Sequence, residues 1–257
     1  MNVQAYFNRI GIDEDIDTQP TYELLERLQL AHIYSVPYEN LDIINGIPLS
    51  LEVQALYQKI VEERRGGFCF ELNSLFHRLL STLGFSCVSY FARFWRGESG
   101  VPLRRHRVIA VFLNGKTYIA DVGIGSQAPR IPLLLEEGIV QEYFGEKYRF
   151  ERDETYGWVL YEWYHDAWQR YFSFTEEVQL DNDFEAISYY CEHHPASKFN
   201  KAYMVAMKTE TGRKSLDGSV FKVFSGTDLA HLEEDMSASR TKEVLETEFG
   251  LIIKKDT

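Results

Sequence analysis

The chain has 257 residues, of which 45% are hydrophobic and 26% charged, and a formal net charge of −12. This length fits one large domain or two to three small ones, while the negative charge argues against nucleic acid as a general partner. The N-terminus lacks a secretory pattern, no apolar stretch approaches a membrane span, and three cysteines without a repeated spacing favour a reducing compartment, so we expect a cytoplasmic protein with no membrane association.

The first region, residues 1–85, is predicted to be helical. Apolar residues recur near helical spacing in "PTYELLERLQLAHIY", and the following "VPYENLDI" breaks the pattern at Pro37. A second apolar stripe follows Ser50, which we expect to cap that helix. A third begins after Gly67 and ends before Gly84, a residue typical of helix C-termini. The region therefore reads as a helical bundle.

Residues 86–190 show the pattern of β-strands instead. The runs "CVSYFARFW", "RVIAVFL" and "KTYIADVGI" are rich in β-branched and aromatic residues, and Asn114-Gly115 marks a two-residue hairpin turn between the last two. Further strand-like runs follow at "KYRFERD", "GWVLYEWY" and "WQRYFSF". We predict an antiparallel sheet or small barrel.

Residues 191–257 are predicted to form a third, mixed region. A helical pattern in "DFEAISYYCEHHP" leads into it, strands follow with turns at Thr211-Gly212 and Asp217-Gly218, and a short helix ends at Gly250. Together the three regions indicate the α+β class.

Cys69 stands directly after a Gly-Gly pair and at the start of a predicted helix, in "RRGGFCFELN". The positive end of a helix stabilises a thiolate, and glycines allow a tight turn and leave room for a substrate. Free N–H groups at the same end can bind an oxyanion during acyl transfer. We therefore predict a cysteine nucleophile here, and structural roles for Cys87 and Cys191.

A catalytic cysteine requires a histidine base. His77 lies eight residues further along the same helix, about 12 Å away, and is expected to be a solvated surface residue. His32 is expected to be packed or to cap a helix. The pair His193-His194 has no second ligand pair at metal spacing, so we predict no metal.

His106 is the better candidate because of the predicted hairpin. Counting outward from Asn114-Gly115 places His106 opposite Gly123, where the missing side chain leaves room for the imidazole ring. Asp121 then lies diagonally on the same face, with a Cβ–Cβ distance of about 7 Å. Partnership with His106 would also offset the cost of burying this carboxylate.

These residues occur in stretches that resemble a known family, the arylamine N-acetyltransferases. "RGGFCFELN", "HRVIAV" and "YIADVGIG" resemble it in order and spacing, as do "VPYENLDI" and "DFEAISYYCEHHPASKF". The resemblance spans roughly His32 to Phe199. It implies a helical bundle, a β-barrel and an α/β lid, in agreement with the division above.

The resemblance also implies site residues and substrates. It implies a catalytic triad of Cys69, His106 and Asp121. Gly123 and Gly125 match positions beside the bound coenzyme, while Phe68, Ile124 and Phe199 are expected to contact the acceptor. Ile124 replaces a frequent phenylalanine, which makes the pocket wall less aromatic. Glu39 and Arg65 match a family ion pair that braces the active-site loop.

The implied activity is acetyl transfer from acetyl-CoA, through an acetyl-cysteine, to an arylamine, arylhydrazine or N-hydroxyarylamine. Arg104 and Arg105 are candidates for holding the coenzyme phosphates, against the alternative of a solvated surface pair. Other Cys-His-Asp acyl transfers remain open, namely an amide synthase and a cysteine peptidase or transglutaminase-like enzyme. A non-catalytic binding module is disfavoured because all three triad positions hold competent residues. The oligomeric state and the physiological acceptor are left open.

Overall fold

A computed structural model describes residues 1–13 and 15–252 and shows an α+β fold, as predicted. The N-terminal part is helical, with α1 (Val3–Ile10), α2 (Tyr22–Ser35), α3 (Leu41–Ile44), α4 (Val53–Tyr57) and α5 (Cys69–Thr82). A π-helical segment, Gln58–Glu62, continues α4. Thr21 caps α2 by accepting a hydrogen bond of 3.2 Å from the Leu24 N–H, which satisfies one of the free donors of the first turn.

The predicted cap of the second stripe is wrong. Helix α4 begins at Val53, and its capping position is occupied by Glu52 rather than Ser50. The Ser50 hydroxyl accepts instead from the Glu52 N–H at 3.3 Å, so it stabilises the turn that enters the helix.

Helix α5 is the central helix of this part. Its predicted stripe, including Leu72, Leu75 and Phe76, is fully buried in a core shared with α1 and α2. The same core includes Ile109 and Val111 of the neighbouring sheet. Because the helix is enclosed on most sides, its first residue is fixed relative to that sheet.

The middle part forms an eight-stranded antiparallel sheet. Its strands are β1 (Ser86–Phe94), β2 (His106–Leu113), β3 (Lys116–Ala120), β4 (Leu133–Leu134), β5 (Gln141–Tyr143), β6 (Glu146–Asp153), β7 (Gly157–Tyr164) and β8 (Ala167–Gln179). Their order is β4-β3-β2-β1-β8-β7-β6-β5. The Gln141 side chain accepts from the Leu134 N–H at 2.7 Å and donates to the Leu134 carbonyl at 2.9 Å. One amide thus connects the two edge strands, and the sheet is a nearly closed barrel.

The predicted β2–β3 hairpin is confirmed near its turn, where Leu113 pairs with Lys116. The ladder ends at the pair Ile109–Ala120, so the predicted pairing of His106 with Gly123 does not form. After Ala120 the backbone bonds to side chains instead of a strand. These bonds take the chain out of the sheet directly before Asp121.

The C-terminal part consists of α6 (Glu185–His193), a second antiparallel sheet and α7 (Ala238–Phe249). The sheet contains β9 (Met204–Thr209), β10 (Gly212–Asp217), β11 (Val220–Ser225) and β12 (Asp228–Glu233), in the order β12-β11-β10-β9. The final helix ends at Gly250, as predicted. The turn predicted at Thr211-Gly212 lies one residue earlier, since Gly212 already belongs to β10. We call this sheet with α7 the lid.

The lid sheet packs against α7 on one face and joins the N-terminal part through its edge strand β9. Val205 and Leu216 are buried against Val244 and Leu245 of α7. At the β9 edge, the lid sheet contacts the N-terminal part: Tyr38 pairs with Ala206 through backbone hydrogen bonds of 2.9 and 3.0 Å, which joins β9 to the chain before α3.

The division into residues 1–85, 86–190 and 191–257 stays a prediction, and its second boundary falls inside α6. No helix in the described ranges is long and apolar enough to cross a membrane.

Candidate active site

Cys69 is the first residue of α5, as predicted, and is 4% exposed. Its thiol donates a hydrogen bond to the Arg105 carbonyl, with Sγ and O 3.6 Å apart. Burial raises the pKa of this thiol well above its usual value, Cys191 and Asp121 add to that shift, and the Phe70 N–H opposes it. Burial thus opposes the thiolate that the helix end favours, and the predicted stabilisation of the thiolate by the helix dipole stays a prediction.

His106 and Asp121 form a direct contact, which confirms the predicted partnership. His106 Nε2 lies 2.6 Å from Asp121 Oδ2, and both side chains are buried. The other carboxylate oxygen, Oδ1, accepts from Asn73 Nδ2 at 2.9 Å and from the Gly123 N–H at 2.8 Å. These donors compensate the buried charge and fix the carboxylate toward the imidazole.

Asn73 was not singled out by the sequence analysis. Its Nδ2 also donates to the Arg107 carbonyl at 2.7 Å, and its Oδ1 accepts from the Val122 N–H at 2.9 Å. One side chain thus ties α5 to β2 and to the segment after β3. The available signal was a polar residue inside an apolar stripe, four positions after Cys69 and so on the same helix face.

Gly123 makes room for a different neighbour from the predicted His106 ring, while its predicted contact with the coenzyme stays a prediction. A Cβ there would lie 2.9 Å from the Cys69 Cα, 3.0 Å from the Cys69 carbonyl oxygen and 2.5 Å from Asn73 Nδ2. The glycine therefore permits close approach to the nucleophile's backbone, not to the ring of His106. Gly125 has a φ of +59°, and a Cβ there would lie 2.7 Å from the Tyr38 Cβ.

A cavity of about 350 Å³ opens at Cys69. The predicted site residues that line it are Cys69, His106, Gly123, Ile124 and Phe199. Asp121 lies behind His106. Aromatic side chains of the wall include Tyr38, Phe94 and Phe224.

Two predicted contacts do not reach this cavity. Phe68 is fully buried, and its ring packs behind Phe199 with the ring centroids 6.1 Å apart. Gly125 packs against the inner side of Tyr38 rather than lining the space. Neither residue is among those that line the cavity, and their predicted contacts with the acceptor and the coenzyme stay predictions.

The remaining histidines lie away from the thiol. His32 is buried and hydrogen-bonded to the Tyr6 hydroxyl at 2.8 Å, so the packed role is confirmed. His77 is half-buried, with Nε2 3.4 Å from the Cys87 carbonyl, so it is not the solvated residue expected. Within residues 1–13 and 15–252, no group of three metal-ligating side chains is placed to hold an ion.

Arg104 and Arg105 separate in the structure. Arg105 lines the cavity, but its guanidinium lies 2.5 Å from Glu98 Oε1. Arg104 does not line the cavity and donates to Thr175 Oγ1 at 2.5 Å. Of the two candidates, only Arg105 faces the space that a coenzyme would enter.

A network of charged side chains lies beneath the loop that carries Cys69. The predicted pair is confirmed, since Arg65 Nη2 lies 2.8 Å from Glu39 Oε1. Asp42 bridges Arg65 at 2.7 Å and Lys59 at 2.7 Å, and Lys59 also bonds Glu71 at 2.8 Å. Burial would lower the pKa of Lys59, but the surrounding carboxylates outweigh burial and raise it.

The network ends at the nucleophile's own turn. Glu71 Oε2 accepts from the Phe68 N–H at 3.0 Å, directly before Cys69. Glu39 Oε2 accepts from the Leu41 N–H at 2.6 Å and so fixes the chain near the cavity wall. The ion pairs therefore connect two backbone segments that border the site.

We expect the substitution Arg65→Met to destabilise the fold by about 3–5 kcal/mol, because it leaves the buried Glu39 carboxylate without its cation. Arg64→Met is the matched control, since Arg64 is exposed and makes no ion pair among the described residues. Urea unfolding and melting temperature measure the difference. If Arg65→Met had the same melting temperature as Arg64→Met, the Glu39–Arg65 ion pair would not stabilise the active-site loop.

Comparison with known proteins bears on this arrangement. The N-acetyltransferase family model matches residues 21–257. An arylamine N-acetyltransferase of Mycobacterium tuberculosis is 36% identical over 98% of this chain and 89% of its own length. The chain belongs to the arylamine N-acetyltransferase family. An arylamine N-acetyltransferase / N-hydroxyarylamine O-acetyltransferase of Salmonella typhimurium is 35% identical over 82% of this chain and 75% of its own length.

Solved structures of the arylamine N-acetyltransferase family share the fold. The M. tuberculosis enzyme superposes with a TM-score of 0.90 at 35% identity, covering 97% of this chain and 93% of its own. The Mycobacterium marinum enzyme in complex with CoA superposes with a TM-score of 0.89 at 30% identity, covering 97% and 92%. The family resemblance seen in the sequence is thereby confirmed.

Proposed function

We propose that the protein transfers an acetyl group from acetyl-CoA, through Cys69, to an arylamine, arylhydrazine or N-hydroxyarylamine. The observation that carries the proposal is geometric. A thiol at a helix start shares one cavity with His106, whose ring is held by the Asp121 carboxylate at 2.6 Å. The activities of the S. typhimurium relative and the complex of the M. marinum enzyme with CoA support the choice of donor and acceptor.

In the first half-reaction, His106 acts as the base. Its Nε2 faces Asp121, so Nδ1 is the nitrogen that takes the Cys69 proton. The thiolate then attacks the thioester carbon, and the CoA sulfur leaves with the proton held by the imidazolium. Burial raises the pKa of Cys69 and so opposes the thiolate, which makes proton transfer to the Asp121-supported His106 important for forming the nucleophile.

In the second half-reaction, the amine attacks the acetyl carbon of acetyl-Cys69. His106 removes the amine proton as the C–N bond forms, and the Cys69 sulfur leaves as the thiolate. An aromatic amine is mostly neutral at pH 7. It can therefore enter the cavity, whose wall contains Tyr38, Phe94 and Phe199, without a large desolvation cost.

Incubation with acetyl-CoA and no amine is expected to add one acetyl group to Cys69. Intact mass and peptide mapping locate it, and later addition of an arylamine should remove it. Cys87→Ala is the matched control and should acetylate normally, because Cys87 lies in β1 away from the cavity. Acetylation at Cys191, no acetylation, or turnover of a peptide instead of acetyl-CoA would overturn the proposal.

A further inference from the structure

The lid sheet turns a charged face toward the catalytic cavity. Side chains alternate along a strand, so Arg213 and Ser215 of β10 share one face while Leu216 lies on the face packed against α7. On β11, Lys222 pairs directly with Ser215, and Phe224 pairs with Arg213. These four side chains line the same space as Cys69, as does Asp217 at the end of β10.

Five basic side chains line this cavity: Arg96, Arg105, Lys198, Arg213 and Lys222. Three of them have a carboxylate partner within 4.0 Å. Arg96 lies 3.2 Å from Glu162, while Arg105 and Lys198 share Glu98 at 2.5 and 2.7 Å. Within residues 1–13 and 15–252, neither Arg213 nor Lys222 has a carboxylate partner within 4.0 Å. Of the described residues, Arg213 and Lys222 are therefore the two cavity cations without a close ion pair, and the shared Glu98 leaves one further positive charge between Arg105 and Lys198.

The guanidinium of Arg213 is positioned by two contacts within the lid sheet. Its guanidinium lies over the Phe224 ring, 3.7 Å from the centroid, and Nη1 lies 3.5 Å from the Gly226 carbonyl. Burial lowers the pKa of Arg213 and the nearby Arg96 adds to the shift, while Tyr164, Glu146 and Glu162 only partly oppose it. The local surroundings therefore favour an added negative charge.

Asp217 is the opposing charge on this face. It is the acidic residue of β10 that lines the cavity, and no ion pair within 4.0 Å joins it to Lys222 in the part of the chain that the structure describes. Burial raises its pKa, while Lys222 lowers it. Asp217 pairs with Val220 at the far end of the β10–β11 ladder, whereas Arg213 pairs with Phe224 near the other end. An anion beside Arg213 therefore lies away from this carboxylate, whereas Lys222 pairs with Ser215 and lies between the two positions.

We propose that Arg213 and Lys222 bind the diphosphate of acetyl-CoA. The inference rests on the proposed function, because it assigns one part of that donor. A guanidinium offers two parallel N–H donors to phosphate oxygens, and an ammonium adds a point charge. The diphosphate thus meets the two cavity cations that have no carboxylate within 4.0 Å among the described residues.

The distance of Arg213 and Lys222 from Cys69 suits a donor as long as acetyl-CoA. Strand β9 adjoins Tyr38 and the cavity wall near Cys69, while β11 lies two strands further out, about 10 Å away by strand spacing. In acetyl-CoA the pantetheine arm separates the thioester from the diphosphate. A donor with its carbonyl carbon at Cys69 therefore extends along the lid face toward Lys222.

The experiment compares two acyl donors that differ in the diphosphate. S-acetylpantetheine keeps the thioester and the arm but lacks the phosphates. We expect the double variant Arg213→Met and Lys222→Met to lower kcat/KM for acetyl-CoA at least about tenfold relative to S-acetylpantetheine. Arg104→Met is the matched control, because it removes a nearby cation outside the cavity and should leave the donor ratio unchanged. Arg213→Lys keeps the charge and should retain part of the ratio.

The outcomes separate this inference from the proposed function. If Cys69 accepts acetyl from neither donor in the unmodified protein, the proposed function fails. If both donors acetylate Cys69 and the folded double variant keeps the wild-type donor ratio, only the phosphate site is overturned. A changed KM for an acceptor that carries a carboxylate, with the donor ratio unchanged, would assign the two cations to the acceptor and also overturn it. Circular dichroism and melting temperature establish that the variants are folded.

Discussion

Replacing Asp121 with Asn is expected to slow the acetylation of Cys69 by about 10⁴-fold, the cost of the comparable change in a serine-protease triad. The carboxylate stabilises the imidazolium that forms when His106 takes the thiol proton. An amide supplies no such charge. The substitution slows the transfer of the Cys69 proton to His106. The slower rate should therefore appear in the first half-reaction, with acetyl-CoA alone.

The hydrogen bonds around Asp121 explain why an amide is also wrongly arranged. Oδ1 accepts from both Asn73 and the Gly123 N–H, so the oxygen of an introduced Asn is held at that position. Its NH₂ group then faces His106 Nε2 and requires that nitrogen to accept. The ring proton moves to Nδ1, which leaves no lone pair for the Cys69 proton.

The measurement distinguishes this account from a simple charge effect. The negative charge of Asp121 raises the pKa of Cys69, so its removal alone would ease ionisation and speed alkylation. Single-turnover acetylation and the pH dependence of iodoacetamide alkylation should instead both show a slower protein. Asp181→Asn is the control, since it removes a carboxylate paired with Arg107 on the other side of β2. Wild-type rates in Asp121→Asn would contradict the triad.

The contact between His106 and Asp121 followed from a two-residue turn signal and the alternation of side chains along strands. Both are local rules, and the register near Leu113 obeys them. The same counting failed at Asp121 and Gly123, because the chain leaves the ladder after Ala120, so Asp121 reaches His106 from outside the sheet. The cause is a set of hydrogen bonds to Asn73 and Gln29, residues 49 and 92 positions away. No local pattern reports contacts at such separations.

The pKa of the Cys69 thiol is a second property of the site that the sequence alone could not predict. The helix start at Cys69 was predictable from the Gly-Gly pair and the apolar stripe, and so was the direction of the helix dipole. The depth of burial was not, because it depends on how the lid and the sheet pack over that helix end. The bridging role of Asp42 between Arg65 and Lys59 depends on the same kind of long-range packing. Family resemblance supplied the Glu39–Arg65 pair that composition and periodicity did not.

Gly123→Ala should reduce acetylation of Cys69 by about 10²-fold or more, the effect of displacing a reacting group by roughly 1 Å. The added Cβ would meet the Cys69 Cα at 2.9 Å and its carbonyl oxygen at 3.0 Å. These are backbone atoms at the start of a buried helix, so they cannot rotate away as a flexible side chain would. Asn73 Nδ2, at 2.5 Å, would have to move as well.

The displacement caused by Gly123→Ala reaches two members of the triad at once. Asn73 donates to Asp121, and the Gly123 N–H donates to the same oxygen, so moving either one turns the carboxylate away from His106. Gly100→Ala is the matched control, since a Cβ there meets nothing within 4 Å and its φ is not positive. Single-turnover mass spectrometry gives the rate, and melting temperature separates misplacement from unfolding. A folded Gly123→Ala protein that acetylates as fast as Gly100→Ala would show that Cys69 does not depend on this close backbone contact.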